Sequence, residues 1–292
     1  MKYKYLQEEI LQHIKFFIFE INNKVDGKYS GKHKSWFIGK SLDFVQHREY
    51  SYGDDIKLID WKIYGRRDKF FIKQFHQETN LEVYFFIDCS ASMWYPEDGI
   101  TKYEYANYIC SYLSYIFLNQ KDKVGVVKFD NKIIDILNSS SVESFYYNIL
   151  DFLEKEIKGD YSNFTNVIDK ILSQFKKRTL IILMSDLISD DEKITVKLLK
   201  EVSSYGIYLF VLHIIYPKEK TLEFDFDNIR FKDIEEKLPE VKTNLVEIKD
   251  LYVKEFLNLI DYYNKELNDK NIKYKTIYTS LPILENLKII LE

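Results

Sequence analysis

Residues 81–93, LEVYFFIDCSASM, decide the fold of this 292-residue chain. The apolar run at 83–87 is short and uninterrupted, which is typical of a strand buried in a parallel sheet. Asp88 ends the run, and Ser90 and Ser92 follow at every second position. Ligands of open α/β sheets lie beyond the carboxyl ends of the strands, so we expect these three side chains to share one small space. Their hard oxygens suit Mg²⁺ or Mn²⁺, which prefer octahedral oxygen coordination.

The pattern Asp-x-Ser-x-Ser resembles the metal-ion-dependent adhesion site of von Willebrand factor A domains. The resemblance implies two further ligand segments, namely a threonine just before a helix and an acidic residue after the next strand. Thr165 precedes an amphipathic run, and Asp186 follows the apolar stretch 179–184. Each of these residues is also compatible with a plain structural role, in a polar turn or at a helix cap. Taken in the expected order, they predict one divalent-cation site formed by Asp88, Ser90, Ser92, Thr165 and Asp186.

Strands alternate with helices along most of the chain, which predicts an α/β fold with a doubly wound, mostly parallel sheet of the von Willebrand factor A or Rossmann-like type. Residues 132–137 are expected to form an antiparallel edge strand, and the periodicity of 4–23 predicts an N-terminal amphipathic helix. The charged segment 224–241 is interpreted as a hairpin and 244–248 as a further strand. We expect residues 80–292 to form the main domain, with the N-terminal helix and a small irregular or β extension, residues 1–79, packed on it.

A second segment, residues 44–78, is dense in acidic, basic and aromatic side chains and matches no catalytic pattern. One interpretation is a structural network in which Asp54, Asp55 or Asp60 pairs with Arg48 or Arg66, because buried carboxylates need such partners. The other interpretation is a partner-binding surface. The residues concerned are Arg48, Asp54, Asp55, Asp60, Trp61 and Arg66.

The same segment resembles the signature of a bacterial family known as domain of unknown function 58. Members carry F-x-x-x-R-x-Y-x-x-G-D-D-x-R-x-I-D-W-x-x-x-A-R, then V-K-x-F-x-x-E, then a strand and D-x-S-x-S-M. The matching residues here are Phe44, Arg48, Tyr50, Gly53, Asp54, Asp55, Ile59, Asp60, Trp61, Arg66, Lys73, Phe75, Glu78, Asp88, Ser90, Ser92 and Met93. Lys57 replaces the usual arginine and Gly65 the usual alanine. The resemblance implies a MoxR-type AAA+ ATPase as partner and a role in assembling or activating other proteins.

The resemblance to von Willebrand factor A domains implies a metal-dependent protein-binding module rather than an enzyme. In such a module the open metal position accepts an Asp or Glu of a partner protein. The alternative is a metal-dependent hydrolase of phosphoesters, which would need a general base or a second metal. In the sequence, no histidine lies near the ends of the motif strands. Nucleic-acid binding is not expected, because the net charge is −4 and the basic residues of 24–73 are interleaved with acidic ones.

Composition also bears on the compartment. The two cysteines, Cys89 and Cys110, have no metal-binding spacing and fit a reducing environment. No apolar run reaches the length of about 18 residues that a membrane span requires. We therefore expect a cytoplasmic protein without a membrane span.

The chain has no GxxxxGK[ST] motif, so it is not expected to be the ATPase itself.

Overall fold

The computed structural model describes residues 3–19, 38–52, 59–67, 69–78, 81–96, 99–160, 164–188, 191–222, 228–231, 241–269 and 271–292. The chain forms two compact units, Met1–Phe19 with Glu82–Glu292, and Glu20–Leu81. The first residues of the chain thus belong with the larger unit, while the predicted division at 79/80 stays a prediction. Among the described helices, none is long and apolar enough to cross a bilayer.

Ten strands and nine α-helices lie in these described ranges. The strands are β1 (Ile38–Glu49), β2 (Phe71–Glu78), β3 (Glu82–Asp88), β4 (Lys123–Phe129), β5 (Ile133–Ser140), β6 (Leu180–Ser185), β7 (Tyr208–Ile215), β8 (Asn228–Phe231), β9 (Val241–Asn244) and β10 (Ile272–Tyr278). The helices are α1 (Glu8–Ile14), α2 (Trp61–Arg67), α3 (Lys102–Asn119), α4 (Phe145–Glu154), α5 (Phe164–Gln174), α6 (Glu192–Ser204), α7 (Pro217–Thr221), α8 (Leu245–Leu267) and α9 (Ile283–Leu291).

A six-stranded sheet in the order β10-β7-β6-β3-β4-β5 forms the centre of the larger unit. β5 is antiparallel to β4 at one edge, and the other neighbouring strands are parallel. This arrangement confirms the predicted α/β fold with a mostly parallel sheet and an antiparallel edge strand. β3 and β6 are buried almost throughout, because helices cover both faces of a parallel sheet, and their sequences are therefore continuously apolar.

The strand order contains one reversal of direction. From β3 the chain crosses to β4 on one side, whereas from β6 it crosses to β7 on the other side. β3 and β6 are neighbours, so their carboxyl ends flank the crevice that such a reversal creates. In open α/β sheets this crevice is where ligands bind.

A large apolar cluster packs the sheet against helices α5, α6 and α8. Its aromatic members on the strands include Tyr84, Phe86, Phe129 and Tyr274, and Tyr263 joins it from α8. Helix α3 is buried along most of its length, and a capping box fixes its start, since Thr101 and Glu104 each bond the other's backbone N–H. The core therefore holds rigidly the strand ends on which the candidate site is built.

Three local predictions are settled by this structure. The helix predicted over 4–23 is shorter, because α1 spans Glu8–Ile14, residues 15–19 are not helical and residues 20–23 lie outside the described ranges. β8 and β9 pair in antiparallel fashion, as in the hairpin predicted for 224–241, but β9 begins only at Val241, where that segment ends. The strand predicted at 244–248 is wrong, because α8 begins at Leu245.

The smaller unit is built on an antiparallel pair, β1 and β2, with α2 between them in the chain. Ile59 bridges to Ile72 of β2, and both side chains are buried. Asp54 and Asp55 lie outside the described residues. The β extension predicted from the sequence therefore corresponds to a hairpin that carries one short helix.

Candidate metal-binding site

Four of the five predicted ligands lie together at the carboxyl ends of β3 and β6. Asp88 is the last residue of β3, Ser90 and Ser92 belong to the turn that follows it, and Asp186 comes directly after β6. All four side chains are buried. The parallel pairing of β3 with β6 brings the two strand ends to the same edge of the sheet, which is why distant parts of the sequence meet here.

These four side chains form a continuous row of oxygens. Ser90 donates its backbone N–H to Asp88 Oδ1 at 2.9 Å, and its hydroxyl also bonds this carboxylate. The hydroxyl oxygens of Ser90 and Ser92 lie 3.2 Å apart, and the Ser92 side chain bonds Asp186. The row therefore runs carboxylate, hydroxyl, hydroxyl, carboxylate, and every member offers a hard oxygen.

Ser185 holds the far oxygen of Asp88. Its hydroxyl donates to Asp88 Oδ2 at 2.7 Å and accepts from the backbone N–H of Leu187 at 2.9 Å. Ser185 is the last residue of β6, so this contact ties the ends of the two strands together. The sequence did not reveal this role, because a serine at a strand end is compatible with many structures.

Lys102 brings a positive charge into the same region. Its ammonium donates to Asp186 Oδ2 at 2.8 Å and to Glu219 Oε1 at 2.5 Å, and its side chain has no exposed surface. Lys102 is the first residue of α3, and Glu219 lies on α7. No sequence pattern pointed to Lys102, since a lysine in the first turn of a helix is usually exposed to solvent.

Burial and the neighbouring charges act differently on the two carboxylates. Burial, and next the negative charge of Asp186, raise the pKa of Asp88 to about 7. Burial also acts to raise the pKa of Asp186, but the charge and hydrogen bond of Lys102 outweigh it and hold that pKa below its usual value. Asp88 therefore lies where additional positive charge would be strongly favourable.

The fifth predicted ligand, Thr165, lies in the first turn of α5 rather than in the loop before it. Its neighbour Phe164 is buried against Phe129, with 6.1 Å between the ring centroids. Phe129 is paired with Asp88 across the sheet, so α5 begins at the same edge. Thr165 itself is exposed, and residues 161–163 lie outside the described ranges. Its role as a ligand stays a prediction.

A histidine also lies at this edge, although the sequence analysis placed none near the motif. His213 of β7 is paired with Ser185 and bonds the backbone of Asp186. Its Nδ1 lies 2.6 Å from the hydroxyl of Tyr274. Periodicity marked this residue only as part of a buried strand, and the parallel register brings it to the site. A cavity of about 560 Å³ opens beside it, with Asp186, Glu219 and Tyr252 in its lining.

The donor set fits Mg²⁺ or Mn²⁺. In the described part of the chain, no three His, Cys, Asp or Glu side chains gather as metal ligands, so serine hydroxyls would have to complete the shell. Oxygen donors alone favour hard cations over zinc, which takes nitrogen and sulfur readily. Burial, and next the charge of Asp186, raise the pKa of Asp88, so a cation beside this carboxylate would favour its ionised form. A bound cation would be held by Asp88, Ser90, Ser92 and Asp186.

The signature residues of the smaller unit occupy different environments. Asp60 is buried, its Oδ2 lies 2.9 Å from Nε2 of His47, and its Oδ1 accepts from the backbone N–H of Lys62 at 3.0 Å. Arg48 Nη1 lies 3.3 Å from the hydroxyl of Ser51. Trp61 is 60% exposed. The side chain of Arg66 lies outside the described side chains, so pairing of Asp60 with Arg48 or Arg66 stays a prediction.

The chain is thus an α/β protein whose central sheet carries serine hydroxyls and carboxylates at its switch point. The chain belongs to the family described as protein of unknown function DUF58, whose model matches residues 46–257. No curated protein matches the chain.

Three solved structures are similar to the chain in part. The conserved hypothetical protein BatB from Bacteroides thetaiotaomicron is 19% identical, with a TM-score of 0.47, over 72% of this chain and 96% of that one. The SpRpn10 VWA domain is 13% identical, with a TM-score of 0.43, over 72% and 94%. The proximal thread matrix protein 1 of the mussel byssus, described with a zinc-occupied MIDAS motif, is 14% identical, with a TM-score of 0.38, over 47% and 38%.

Proposed function

We propose that this chain is a protein-binding module that holds Mg²⁺ or Mn²⁺ and accepts an Asp or Glu of a partner protein in the open metal position. The partner we propose is a MoxR-type AAA+ ATPase or its client, in the assembly or activation of other proteins. The family resemblance supports the choice of partner, and the site supports the chemistry. We place the module in the cytoplasm, in keeping with two free and buried cysteines, Cys89 and Cys110.

The observation that carries this proposal is the row of oxygens from Asp88 to Asp186. It contains only two carboxylates, and one of them already bonds Lys102. A divalent cation held by so few charged ligands keeps much of its charge, so it attracts a further carboxylate. The buried hydroxyls of Ser90 and Ser92 would orient the cation without neutralising it.

The hydrolase alternative has weaker support at this site. His213 is the histidine beside Asp186, but it is buried and its Nδ1 bonds Tyr274. Burial lowers its pKa to about 4, so it is a poor proton acceptor at neutral pH. The thiols of Cys89 and Cys110 are also buried, and burial raises the pKa of each. The described residues thus favour binding over catalysis.

The proposal is tested by calorimetric titration of Mn²⁺ and Mg²⁺ into the wild type, Asp88→Asn and a control, Asp130→Asn. Asp130 is a buried aspartate that follows β4, the strand on the other side of β3. We expect Asp88→Asn to abolish cation binding, because it removes the central charged ligand, and Asp130→Asn to retain it. If both variants lose cation affinity equally, or if Asp88→Asn loses none, the proposed metal site is wrong.

The partner is tested by repeating the titration with a MoxR-type ATPase present. If the partner's carboxylate completes the metal shell, each ligand must strengthen binding of the other by the same factor. We expect Mn²⁺ to bind more tightly with the ATPase, and the ATPase to bind Asp88→Asn weakly or not at all. An ATPase that binds the metal-free protein equally well would refute the metal-bridged contact.

A further inference from the structure

Lys102 joins the candidate site to a carboxylate outside the row of oxygens. Its ammonium lies between Asp186, a proposed ligand, and Glu219 of α7. Glu219 is itself fixed, because its Oε2 accepts from the backbone N–H of Tyr216 at 3.0 Å. Three segments of the larger unit therefore meet around one buried positive charge.

The charges of this cluster can be counted from its contacts. Asp88, Asp186 and Glu219 carry three negative charges when ionised, and Lys102 carries one positive charge, which leaves −2. A divalent cation would bring the cluster to neutrality. Because Asp88, Asp186 and Lys102 are buried and Glu219 is mostly so, each unit of charge acts strongly on whatever binds next.

We propose that Lys102 sets the charge of this site, so that the cation-loaded form stays neutral and accepts an anionic ligand. This inference rests on the proposed function and names the residue that gives the site its selectivity for carboxylates. Without Lys102, the loaded cluster would keep a charge of −1 and repel a partner's carboxylate, although it would hold the cation more tightly. Lys102 thus weakens cation binding and strengthens partner binding.

The wild type and three variants test whether Lys102 weakens cation binding while it strengthens binding of a carboxylate. Lys102→Met makes the cluster more negative by one charge, and Glu219→Gln makes it less negative by one charge. The double variant Lys102→Met/Glu219→Gln restores the wild-type charge without the ion pair. It is therefore the matched control for the loss of packing and hydrogen bonds.

Two quantities are measured for each protein at pH 8. The first is Mn²⁺ affinity, from the electron paramagnetic resonance signal of free Mn²⁺. The second is the factor by which sodium acetate, used as the carboxylate probe at constant ionic strength, tightens Mn²⁺ binding. Acetamide serves as the uncharged counterpart of acetate, and circular dichroism checks that each variant is folded.

We expect the two quantities to move in opposite directions across the series. Lys102→Met should bind Mn²⁺ at least roughly tenfold more tightly and lose the acetate effect, since a nearby charge in a protein interior contributes no less than a factor of about ten. Glu219→Gln should bind Mn²⁺ more weakly and gain acetate effect, and the double variant should resemble the wild type in both.

Other results separate the inference from the function beneath it. If the wild type binds Mn²⁺ but both single variants shift affinity in the same direction, Lys102 only positions Asp186 and the inference is overturned. If Lys102→Met fails to fold, Glu219→Gln and the double variant still decide, because the charge account predicts a larger acetate effect in Glu219→Gln than in the double variant, which should match the wild type. If the wild type binds no Mn²⁺, the proposed function fails and the inference fails with it.

Discussion

Two buried titratable residues at the carboxyl edge of the sheet, Asp88 and His213, both favour their neutral forms. Burial raises the pKa of Asp88 to about 7 and lowers that of His213 to about 4. The ordinary pKa of an aspartate is 3.8, so Asp88 lowers the stability of the folded protein as the pH rises from 3.8 toward 7. His213 acts oppositely, because the unfolded chain binds its proton more readily below pH 6.5.

His213 should thus make stability depend on pH in a way that a variant can isolate. Its contribution is fully present above pH 6.5 and is lost as the pH falls toward 4. The charged and titratable groups around it are Asp186, Lys102, Tyr263 and Tyr274. We expect the wild type to lose about 3 kcal/mol more than His213→Gln between pH 7 and pH 4. Urea unfolding of both proteins across this range measures the difference, and parallel curves would contradict the buried neutral histidine.

At the scale of the element, the segment after α4 runs closely past the end of β3. Gly159 donates its N–H to the carbonyl of Cys89 at 2.8 Å, and Ala91 donates to the carbonyl of Asp160 at 2.7 Å. Lys128, buried on β4, donates to the carbonyls of Phe152 and Leu153 at the end of α4. These contacts hold the backbone of the candidate site against the chain that leads to Thr165.

The close approach at Gly159 leaves no room for a side chain. A Cβ there would lie 2.7 Å from the Asp130 Cβ and 2.9 Å from the Cys89 carbonyl. We expect Gly159→Ala to destabilise the protein by about 1–3 kcal/mol, as overpacking does, and to weaken Mn²⁺ binding. The control is Gly65→Ala on α2, where a Cβ meets nothing within 4 Å and alanine suits a helix better. Equal denaturation midpoints for the wild type and Gly159→Ala would contradict this expectation, because they would show that the backbone around residue 159 accommodates the methyl group without loss of stability.

At the scale of the whole molecule, the two compact units carry different parts of the family signature. The metal motif lies in the larger unit, and Asp60 with its partner His47 lies in the smaller one. Asp60 is 7% exposed, so its carboxylate depends on the hydrogen bonds that surround it.

Removing the Asp60 carboxylate should therefore destabilise the smaller unit in particular. We expect Asp60→Ala to cost roughly 3 kcal/mol, because the partly buried His47 ring and the backbone N–H of Lys62 both lose a charged acceptor, and to speed amide exchange in β1 and β2. The control is Glu49→Ala, which breaks the exposed pair of Glu49 and Lys69 in the same unit and should cost about 1 kcal/mol or less. Hydrogen exchange measured by mass spectrometry compares the two units. Unchanged exchange in β2 of Asp60→Ala would show that Asp60 does not stabilise the smaller unit and would favour a role in partner binding.

The parts of the molecule that the sequence predicted are those with local signals. The buried strands 83–87 and 179–184 are continuous apolar runs, and Asp88 and Asp186 mark where they end. Ser185, Lys102 and His213 were missed, because only the strand order and register bring them to the site. The segment 244–248 was misassigned because its apolar residues suit either a strand or the start of α8.

Anomalous diffraction from crystals grown with Mn²⁺ would test the central claim most directly. Data collected at the manganese edge locate the ion without assuming any ligand. We predict one strong peak at the oxygens of Asp88, Ser90, Ser92 and Asp186, with metal–oxygen distances of roughly 2.1 Å and with Lys102 still bound to Glu219. A strong peak elsewhere, or ordered side chains at these positions with no peak at saturating Mn²⁺, would contradict the account.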